Sequence, residues 1–248
     1  MRRFPAEFES LLSKEGRRVL AGTHAACGAL ADPRRRFLAL DGLVDRDKAL
    51  AATALLEAKM RPHLELMARP IPPEAIADMT ESQSELLPKT ARMATAYFDS
   101  RREPAFAVAE AIGLVTMMQS ESYRAFAAAL AGRPLRARHG LQVLRYGPGD
   151  YAGPHNDHHP EIAAAKAGYF DLHLGLATPA VAHQWLVYAR AGHFTEMVSV
   201  ASCGGITAYR LPFWHYTTPL VAKRGRAATA ARWVLLGTFL YATGRGSR

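Results

Sequence analysis

Short apolar segments separated by glycine- and proline-bearing loops fill the second half of the chain, and this pattern limits the fold more than any other feature. Leu141-Gln-Val-Leu-Arg-Tyr146 and Phe170-Asp-Leu-His-Leu-Gly-Leu176 alternate with the period of two that is typical of β-strands. Further segments with strand character span residues 185–188, 194–200, 205–211, 214–221 and 232–241. Several short strands joined by turns predict an antiparallel sandwich or barrel, and we expect a double-sheet jelly roll.

The first half of the chain has a mostly helical pattern. We predict helices over residues 7–30, 45–60, 104–118 and 121–131, with Asp45 as the N-cap of the second and Gly132 and Pro134 ending the last. Within residues 36–44 we predict a strand that leads to a turn at Asp41-Gly42, and Pro70, Pro72 and Pro73 interrupt the chain. The prediction is an α+β fold: residues 1–134 form a mainly helical support, packed on a jelly-roll core of residues 135–248 within one integrated domain.

The composition suits a protein with a sizeable apolar core. Of the 248 residues, 49% are hydrophobic and 21% are charged, which argues against wholesale disorder. No apolar run approaches the roughly 18 residues that a membrane span needs, and Glu7 and Glu9 interrupt the start of any secretory signal. The two cysteines, Cys27 and Cys203, do not suggest a disulfide framework. We predict a cytoplasmic protein without membrane association.

A net charge of +9 raises the question of an anionic partner. The positive residues occur in short clusters, which are Arg2-Arg3, Arg17-Arg18, Arg34-Arg35-Arg36 and Lys223-Arg224 with Arg226. We find no long basic run interleaved with aromatic residues, a pattern that would favour nucleic-acid binding. We therefore interpret the charge as a solvated surface and do not expect nucleic acid as a partner.

The strongest local motif is His155-Asn156-Asp157, which follows a turn rich in glycine and proline. In an extended segment, residues i and i+2 project to the same side, so the imidazole and the carboxylate can reach one metal ion. A third ligand must come from elsewhere, and His215 in Phe-Trp-His-Tyr-Thr-Thr-Pro219 is the best candidate. Two histidines and one carboxylate are typical of non-haem Fe(II) oxygenases, whereas a structural zinc site has four ligands, usually including cysteine.

The segment from Leu141 to Tyr241 resembles the catalytic core of the 2-oxoglutarate/Fe(II) dioxygenase superfamily, in particular its prolyl-hydroxylase-like branch. The motifs that carry the resemblance are Leu144-Arg-Tyr-Gly-Pro-Gly-Asp-Tyr with His155-Asn-Asp157, then His215-x-x-x-Pro219, then Arg232-Trp-Val-Leu-Leu-Gly-Thr-Phe239. The resemblance implies a double-stranded β-helix, the jelly-roll or cupin-like fold. It also implies a hydroxylase that uses Fe(II), 2-oxoglutarate and O2 and releases succinate and CO2. The substrate class it implies is a small molecule, an amino acid or a peptide side chain.

The resemblance also implies roles for individual residues. His155, Asp157 and His215 would be the catalytic iron ligands, and the guanidinium of Arg232 would bind the distal carboxylate of 2-oxoglutarate. Tyr146 would donate its hydroxyl to the same cosubstrate.

Two departures from the family pattern leave questions open. Arg226 is nearer than Arg232 to the usual offset from His215, although the strand pattern Trp233-Val-Leu-Leu favours Arg232 and makes residues 227–231 an inserted loop. The middle of the core also lacks the Gly-Gly-x-Leu strand that is common in the prolyl-hydroxylase branch, which leaves the substrate class open.

Other readings of the same residues remain. His158 and His159 are either extra ligands or part of a solvated loop, and His173 with Asp171 lines the pocket only if the alternation of that strand has the right register. Cys203 is interpreted as a small buried thiol. The alternative functions are a non-catalytic jelly-roll binding module and a zinc hydrolase that uses His155, Asp157 and His215. The sequence makes no prediction of oligomeric state.

Overall fold

The computed structural model describes residues 1–70, 90–98, 100–157, 168–190 and 193–242. Among these residues, the α-helices are α1 (Lys14–Leu20), α2 (Arg46–Lys59), α3 (Pro104–Ala111), α4 (Leu114–Met118) and α5 (Glu121–Ala131). Short 3-10 helices span Phe8–Leu11, Arg61–His63 and Ala227–Thr229. The strands are β1 (Phe37–Leu40), β2 (Glu65–Pro70), β3 (Thr90–Tyr97), β4 (Gly140–Tyr146), β5 (Tyr151–His155), β6 (Tyr169–Ala177), β7 (Val181–His183), β8 (Trp185–Arg190), β9 (His193–Ser199), β10 (Cys203–Leu211), β11 (His215–Thr217), β12 (Val221–Ala222) and β13 (Arg232–Leu240).

An antiparallel sheet of eleven strands forms the body of the described part of the chain. Its strand order is β1-β10-β6-β13-β4-β3-β5-β11-β8-β9, with β2 paired to β3 alone, while β7 and β12 form a separate two-stranded sheet. β3 pairs with both β4 and β5, so it joins the wall that carries β13 to the wall that carries β11. β1, at one end of the sheet, lies close to β8, the second strand from the other end, since the ring of Phe37 lies 4.8 Å from that of Tyr188. The sheet is therefore a nearly closed barrel, and the predicted jelly-roll fold is confirmed.

The helices cover one outer face of this barrel. In α5 the side chains of Tyr123, Phe126 and Leu130 are buried, and they share a core with Phe170 and Leu172 of β6. The Tyr123 hydroxyl donates to the backbone carbonyl of Leu172 at 3.0 Å. Alternate residues of β6 therefore pack outward against helices, and the residues between them face the barrel interior.

The helix ends show how local sequence determines the length of these elements. The Asp45 carboxylate accepts from the backbone of Asp47 and Lys48 and caps α2, as predicted. α5 begins at the predicted residue after its N-cap Ser120, and it ends at Gly132, whose φ of 65° is the left-handed conformation that glycine adopts without strain.

Three predicted elements differ in extent. The helix predicted over residues 7–30 was wrong in length, because only Lys14–Leu20 is α-helical and Gly22 and Gly28 adopt positive φ beyond it. The helix predicted over 104–118 is divided into α3 and α4 at Gly113, whose φ is 78°. The strand predicted over 214–221 is divided into the three-residue strand β11 and, after a break, the two-residue strand β12.

Two strands of the first half were not predicted at all. β2 is almost wholly exposed and lacks β-branched residues, so it has neither the alternation nor the composition of a strand, and it pairs only with β3. β3 and β1 hydrogen-bond to β4 and β10 of the second half, which joins both halves in one sheet. The division of the chain at residue 134, into a mainly helical support and a jelly-roll core, stays a prediction.

No helix in the described residues has both the length and the apolar character needed to cross a membrane. Cys27 and Cys203 are free thiols.

Candidate metal centre

Two neighbouring strands bring the predicted histidines together. β5 and β11 are antiparallel, and their register places His155 directly opposite His215, with ring centroids 4.3 Å apart. Asp157 follows just beyond the end of β5, and its φ of 52° is unusual for a residue other than glycine. This turn brings one carboxylate oxygen to 3.5 Å from Nε2 of His155 and the other to 3.7 Å from Nε2 of His215.

Backbone carbonyls orient both imidazoles. Nδ1 of His155 lies 2.7 Å from the carbonyl oxygen of Gly153, and Nδ1 of His215 lies 2.7 Å from that of Phe213. A carbonyl can only accept, so each Nδ1 carries the proton and each Nε2 presents a lone pair toward the carboxylate. Metal-bound histidines commonly show this second hydrogen bond, which fixes the tautomer and the ring orientation.

The donor atoms are close enough together to hold a single ion. One potential ligand atom from each of His155, Asp157 and His215 lies within 4.8 Å of the others. Ligands at about 2.1 Å from one metal ion are at most about 4.2 Å apart, and each imidazole has one of the two carboxylate oxygens of Asp157 within that limit. Two nitrogens and one oxygen leave further coordination positions open, as a metal that must also bind a small ligand requires.

Aromatic rings lie behind His215 and help to bury it. The rings of Tyr209 and Phe213 are nearly parallel to the imidazole, with centroids 5.0 and 5.4 Å away. This burial lowers the pKa of His215 to about 3, with a further lowering from His155 and an opposing effect of Asp157. His215 is therefore neutral near pH 7, the form that can bind a metal ion.

Arg232 places a buried cation in the same barrel. Trp233 and Leu235 of β13 belong to the core that contains the helices, so Arg232, Val234 and Leu236 face inward. The Arg232 side chain is only 3% exposed, and burial lowers its pKa from the ordinary value of arginine.

The guanidinium of Arg232 is incompletely partnered. Nη1 donates to Oε1 of Gln184 at 3.1 Å, whereas Nε has no hydrogen-bond partner among the described residues. Among the described residues, no carboxylate oxygen lies close enough to a guanidinium nitrogen of Arg232 to form an ion pair. A buried charge without a counterion is unfavourable, so this arrangement favours an anionic ligand beside the guanidinium.

Tyr146 lies between the two groups of charges. Its register partner on β13 is Arg232, and the guanidinium carbon lies 5.4 Å from its ring centroid. Burial raises the pKa of the Tyr146 hydroxyl, the charge of Arg232 opposes this rise, and the carboxylate of Asp157 adds to it. Tyr146 is therefore a protonated donor in the space shared by Arg232 and the candidate metal ligands.

His173 and Asp171 also face the barrel interior. The residues that alternate with them along β6, Phe170, Leu172 and Leu174, pack in the core that contains the helices. The His173 ring lies edge-on to Tyr209 at 4.4 Å, and burial lowers its pKa to about 3, with the positive charge of Arg232 acting in the same direction. Of the two registers that the sequence left open, the structure therefore has the one in which these side chains line the pocket.

The remaining sequence candidates lie elsewhere. Arg226 is exposed at the start of the 3-10 helix Ala227–Thr229, so it does not join the buried groups around Arg232. His158 and His159 lie outside the described residues. Cys203 is partly buried with its sulfur 3.6 Å from the Thr53 hydroxyl, and burial raises its pKa, which favours an unreactive thiol.

Sequence reasoning missed two residues of the site. Tyr209 is on the inward-facing side of β10, opposite Asp171, and an alternation signal could have found it. Gln184 is fully buried between β7 and β8, and nothing in its local sequence indicates that it contacts Arg232.

Comparisons with known proteins agree with this architecture. No protein-family model and no curated protein matches the sequence. Among solved structures, a 2OG-Fe(II) oxygenase family oxidoreductase from Burkholderia pseudomallei has a TM-score of 0.55 at 15% identity, over 91% of this chain and 90% of that one. The non-haem alpha-ketoglutarate-dependent epimerase SnoN from nogalamycin biosynthesis has a TM-score of 0.53 at 15% identity, over 92% and 81%.

A prolyl-4-hydroxylase from Pseudomonas putida has a TM-score of 0.50 at 14% identity, over 87% of this chain and 99% of that one. Identities this low show a common fold alone. The sequence resemblance to 2-oxoglutarate/Fe(II) oxygenases implies the same fold. The comparisons therefore confirm the fold that this resemblance predicts.

Proposed function

We propose that this chain is an Fe(II)- and 2-oxoglutarate-dependent oxygenase. It hydroxylates an unactivated C–H bond of a small molecule, an amino acid or a peptide side chain and releases succinate and CO2. The observation that carries the proposal is the presence, in one barrel, of an open three-donor cluster and of the buried guanidinium of Arg232, which has no carboxylate partner among the described residues. A structure of SnoN in complex with Fe3+, alpha ketoglutarate and nogalamycin RO, which matches this chain with a TM-score of 0.50, is consistent with it.

His155, Asp157 and His215 would hold the iron through two imidazole nitrogens and one carboxylate. When bound, iron and 2-oxoglutarate supply the oxidising chemistry, in which O2 is consumed and the cosubstrate is converted to succinate and CO2. Asp157 is the one anionic ligand of the three, so it supplies charge compensation that two imidazoles cannot. The carbonyl groups of Gly153 and Phe213 keep both Nε2 atoms aimed at the ion before it binds.

Arg232 and Tyr146 would bind the distal carboxylate of 2-oxoglutarate. A guanidinium presents two parallel N–H groups to a carboxylate, and burial strengthens such a pair because water does not compete. Tyr146 can add a hydroxyl donor, since its raised pKa keeps it protonated. Val234 and Leu236 face the same interior and help to exclude water from the ion pair.

The alternative functions use fewer of these features. A zinc hydrolase needs the three ligands and a bound water, but it has no use for a buried arginine without a carboxylate partner in the described part of the chain. A non-catalytic binding module needs neither the fixed tautomers nor the clustered donors. The substrate class and a cytoplasmic location remain part of the proposal, and the location rests on the cysteine content.

Anaerobic titration of the metal-free protein with Fe(II) and 2-oxoglutarate tests the proposal. We expect the weak visible charge-transfer band of chelated 2-oxoglutarate in the wild type and its loss in His155→Ala, because one imidazole is missing. His24→Ala, far from β5 in sequence, serves as the matched control and should retain the band. A folded wild-type protein without the band would exclude the oxygenase, and zinc retained at one ion per chain would then favour the hydrolase.

A further inference from the structure

We infer that Gln184 is a positioning residue that fixes the Arg232 guanidinium and leaves one particular edge of it free for the carboxylate of 2-oxoglutarate. The inference rests on the proposed function and deepens it, since it specifies how the cosubstrate is bound.

Gln184 is held rigidly at the junction of β7 and β8. Its side chain has no solvent exposure. Its Nε2 donates to the carbonyl of Thr218 at 3.1 Å and lies 3.4 Å from that of Asp150. Both carbonyls accept only, so the amide group has a single favourable orientation, with Oε1 directed at Arg232.

Oε1 of Gln184 then accepts from Nη1 of Arg232 at 3.1 Å. A neutral amide satisfies this N–H without neutralising the guanidinium, whereas a carboxylate at the same position would form an internal ion pair. Glutamine therefore holds the cation in place and preserves its charge for a ligand.

The contact also determines which edge of the guanidinium is available. In arginine, Nη1 lies on the Cδ side, and the Nε and Nη2 hydrogens point together along another edge. Nε is buried without a hydrogen-bond partner in the described residues, and Nη2 forms no hydrogen bond with any of them either. The geometry assigns the Nε/Nη2 edge to the distal carboxylate, in a bidentate contact.

The test compares Gln184→Met and Gln184→Glu with a control, Gln142→Met. Gln142 donates to Thr95 and does not contact Arg232. The dissociation constant of 2-oxoglutarate is measured anaerobically from the charge-transfer band of the Fe(II) protein. We expect an increase of about tenfold for Gln184→Met, as the loss of one hydrogen bond to a charged group predicts, and a larger increase for Gln184→Glu. Gln142→Met should stay within twofold of the wild type.

Two readouts separate positioning from general structural damage. Iron stoichiometry should be unchanged in both Gln184 variants, and in Gln184→Met the KM for 2-oxoglutarate should rise while kcat at saturation is preserved. A Gln184→Met protein that binds 2-oxoglutarate as tightly as the wild type would overturn the inference.

A metal-free arm distinguishes this inference from the proposed function. Calorimetry with glutarate in the presence of EDTA reports the Arg232 site alone, and we expect weaker glutarate binding by Gln184→Met than by the wild type. If the charge-transfer band is absent but glutarate binding depends on Gln184, the oxygenase proposal fails and the role of Gln184 stands. If glutarate does not bind the wild type, or binds all variants equally, the role of Gln184 is refuted.

Discussion

Arg226 and Arg232 show how far the burial of a single residue can be predicted from the sequence. Both arginines follow His215 at plausible offsets, and only the strand pattern after Arg232 favours it. In the structure Arg232 is 3% exposed and faces the barrel interior, whereas Arg226 lies on the surface. The His155–Asp157 pair could be predicted because its spacing is local. Gln184 could not, because its contact with Arg232 spans 48 positions.

The difference in burial leads to a prediction at the residue scale. Arg232→Met should raise the 2-oxoglutarate concentration required for half-maximal binding by about an order of magnitude or more, because a buried charge-assisted pair is lost. Arg226→Met should leave this concentration unchanged. The dissociation constant from the charge-transfer band provides the measurement. The reverse result, with Arg226→Met weakening binding and Arg232→Met not, would assign the cosubstrate to the exposed loop.

At the scale of elements, most strands of the second half could be predicted from their alternation, but the short strands β5 and β7 were not. In β6 and β13 this alternation separates residues that pack against the helices from residues that face the barrel interior. β2 was not predicted because almost all of its residues are exposed, so its sequence has no apolar alternation. Among the described strands it pairs with one only, β3. The single helix predicted over 104–118 was wrong, because the spacing of apolar residues does not reveal that the helix is broken at Gly113, where φ is positive. At Gly113 a Cβ atom would lie 2.9 Å from the carbonyl oxygen of Phe4, so the break is also a close packing contact.

Gly113→Ala should therefore destabilise the protein more than Gly22→Ala does. Both glycines have positive φ, 78° and 71°, so both alanines incur the left-handed penalty of about 1–2 kcal/mol. A Cβ at Gly22 meets nothing within 4 Å, whereas at Gly113 it meets the backbone of Phe4. Urea unfolding monitored by circular dichroism should show an additional loss of about 1 kcal/mol or more for Gly113→Ala. Equal losses would show that the segment containing Phe4 shifts without cost.

At the scale of the whole molecule, the candidate ligands are distributed over both walls of the barrel. His155 and His215 lie on β5 and β11, while Arg232 and Tyr146 lie on β13 and β4, and β3 connects the two pairs of strands. Glu57 of α2 further accepts from Arg145 of β4 at 2.7 Å and from Trp233 of β13 at 2.8 Å, which ties the helical layer to the wall that carries Arg232. Unfolding of the sheet would therefore remove the proposed metal and carboxylate sites together.

Ligand binding should consequently raise the global unfolding temperature in two separable steps. A ligand that binds only the native state at a hundred times its dissociation constant stabilises by about 2.7 kcal/mol, which corresponds to roughly 5–10 °C for a chain of this size. Mn(II), a redox-stable substitute for Fe(II), should give the first increase, and 2-oxoglutarate added to the Mn(II) protein should give the second. Asp157→Ala should lose the metal-dependent increase, because two imidazoles alone hold the ion poorly, whereas Arg232→Met should keep it and lose most of the second. Differential scanning calorimetry measures both. If Asp157→Ala retained the full Mn(II)-dependent increase, the metal would bind elsewhere and the three-ligand site would have to be abandoned.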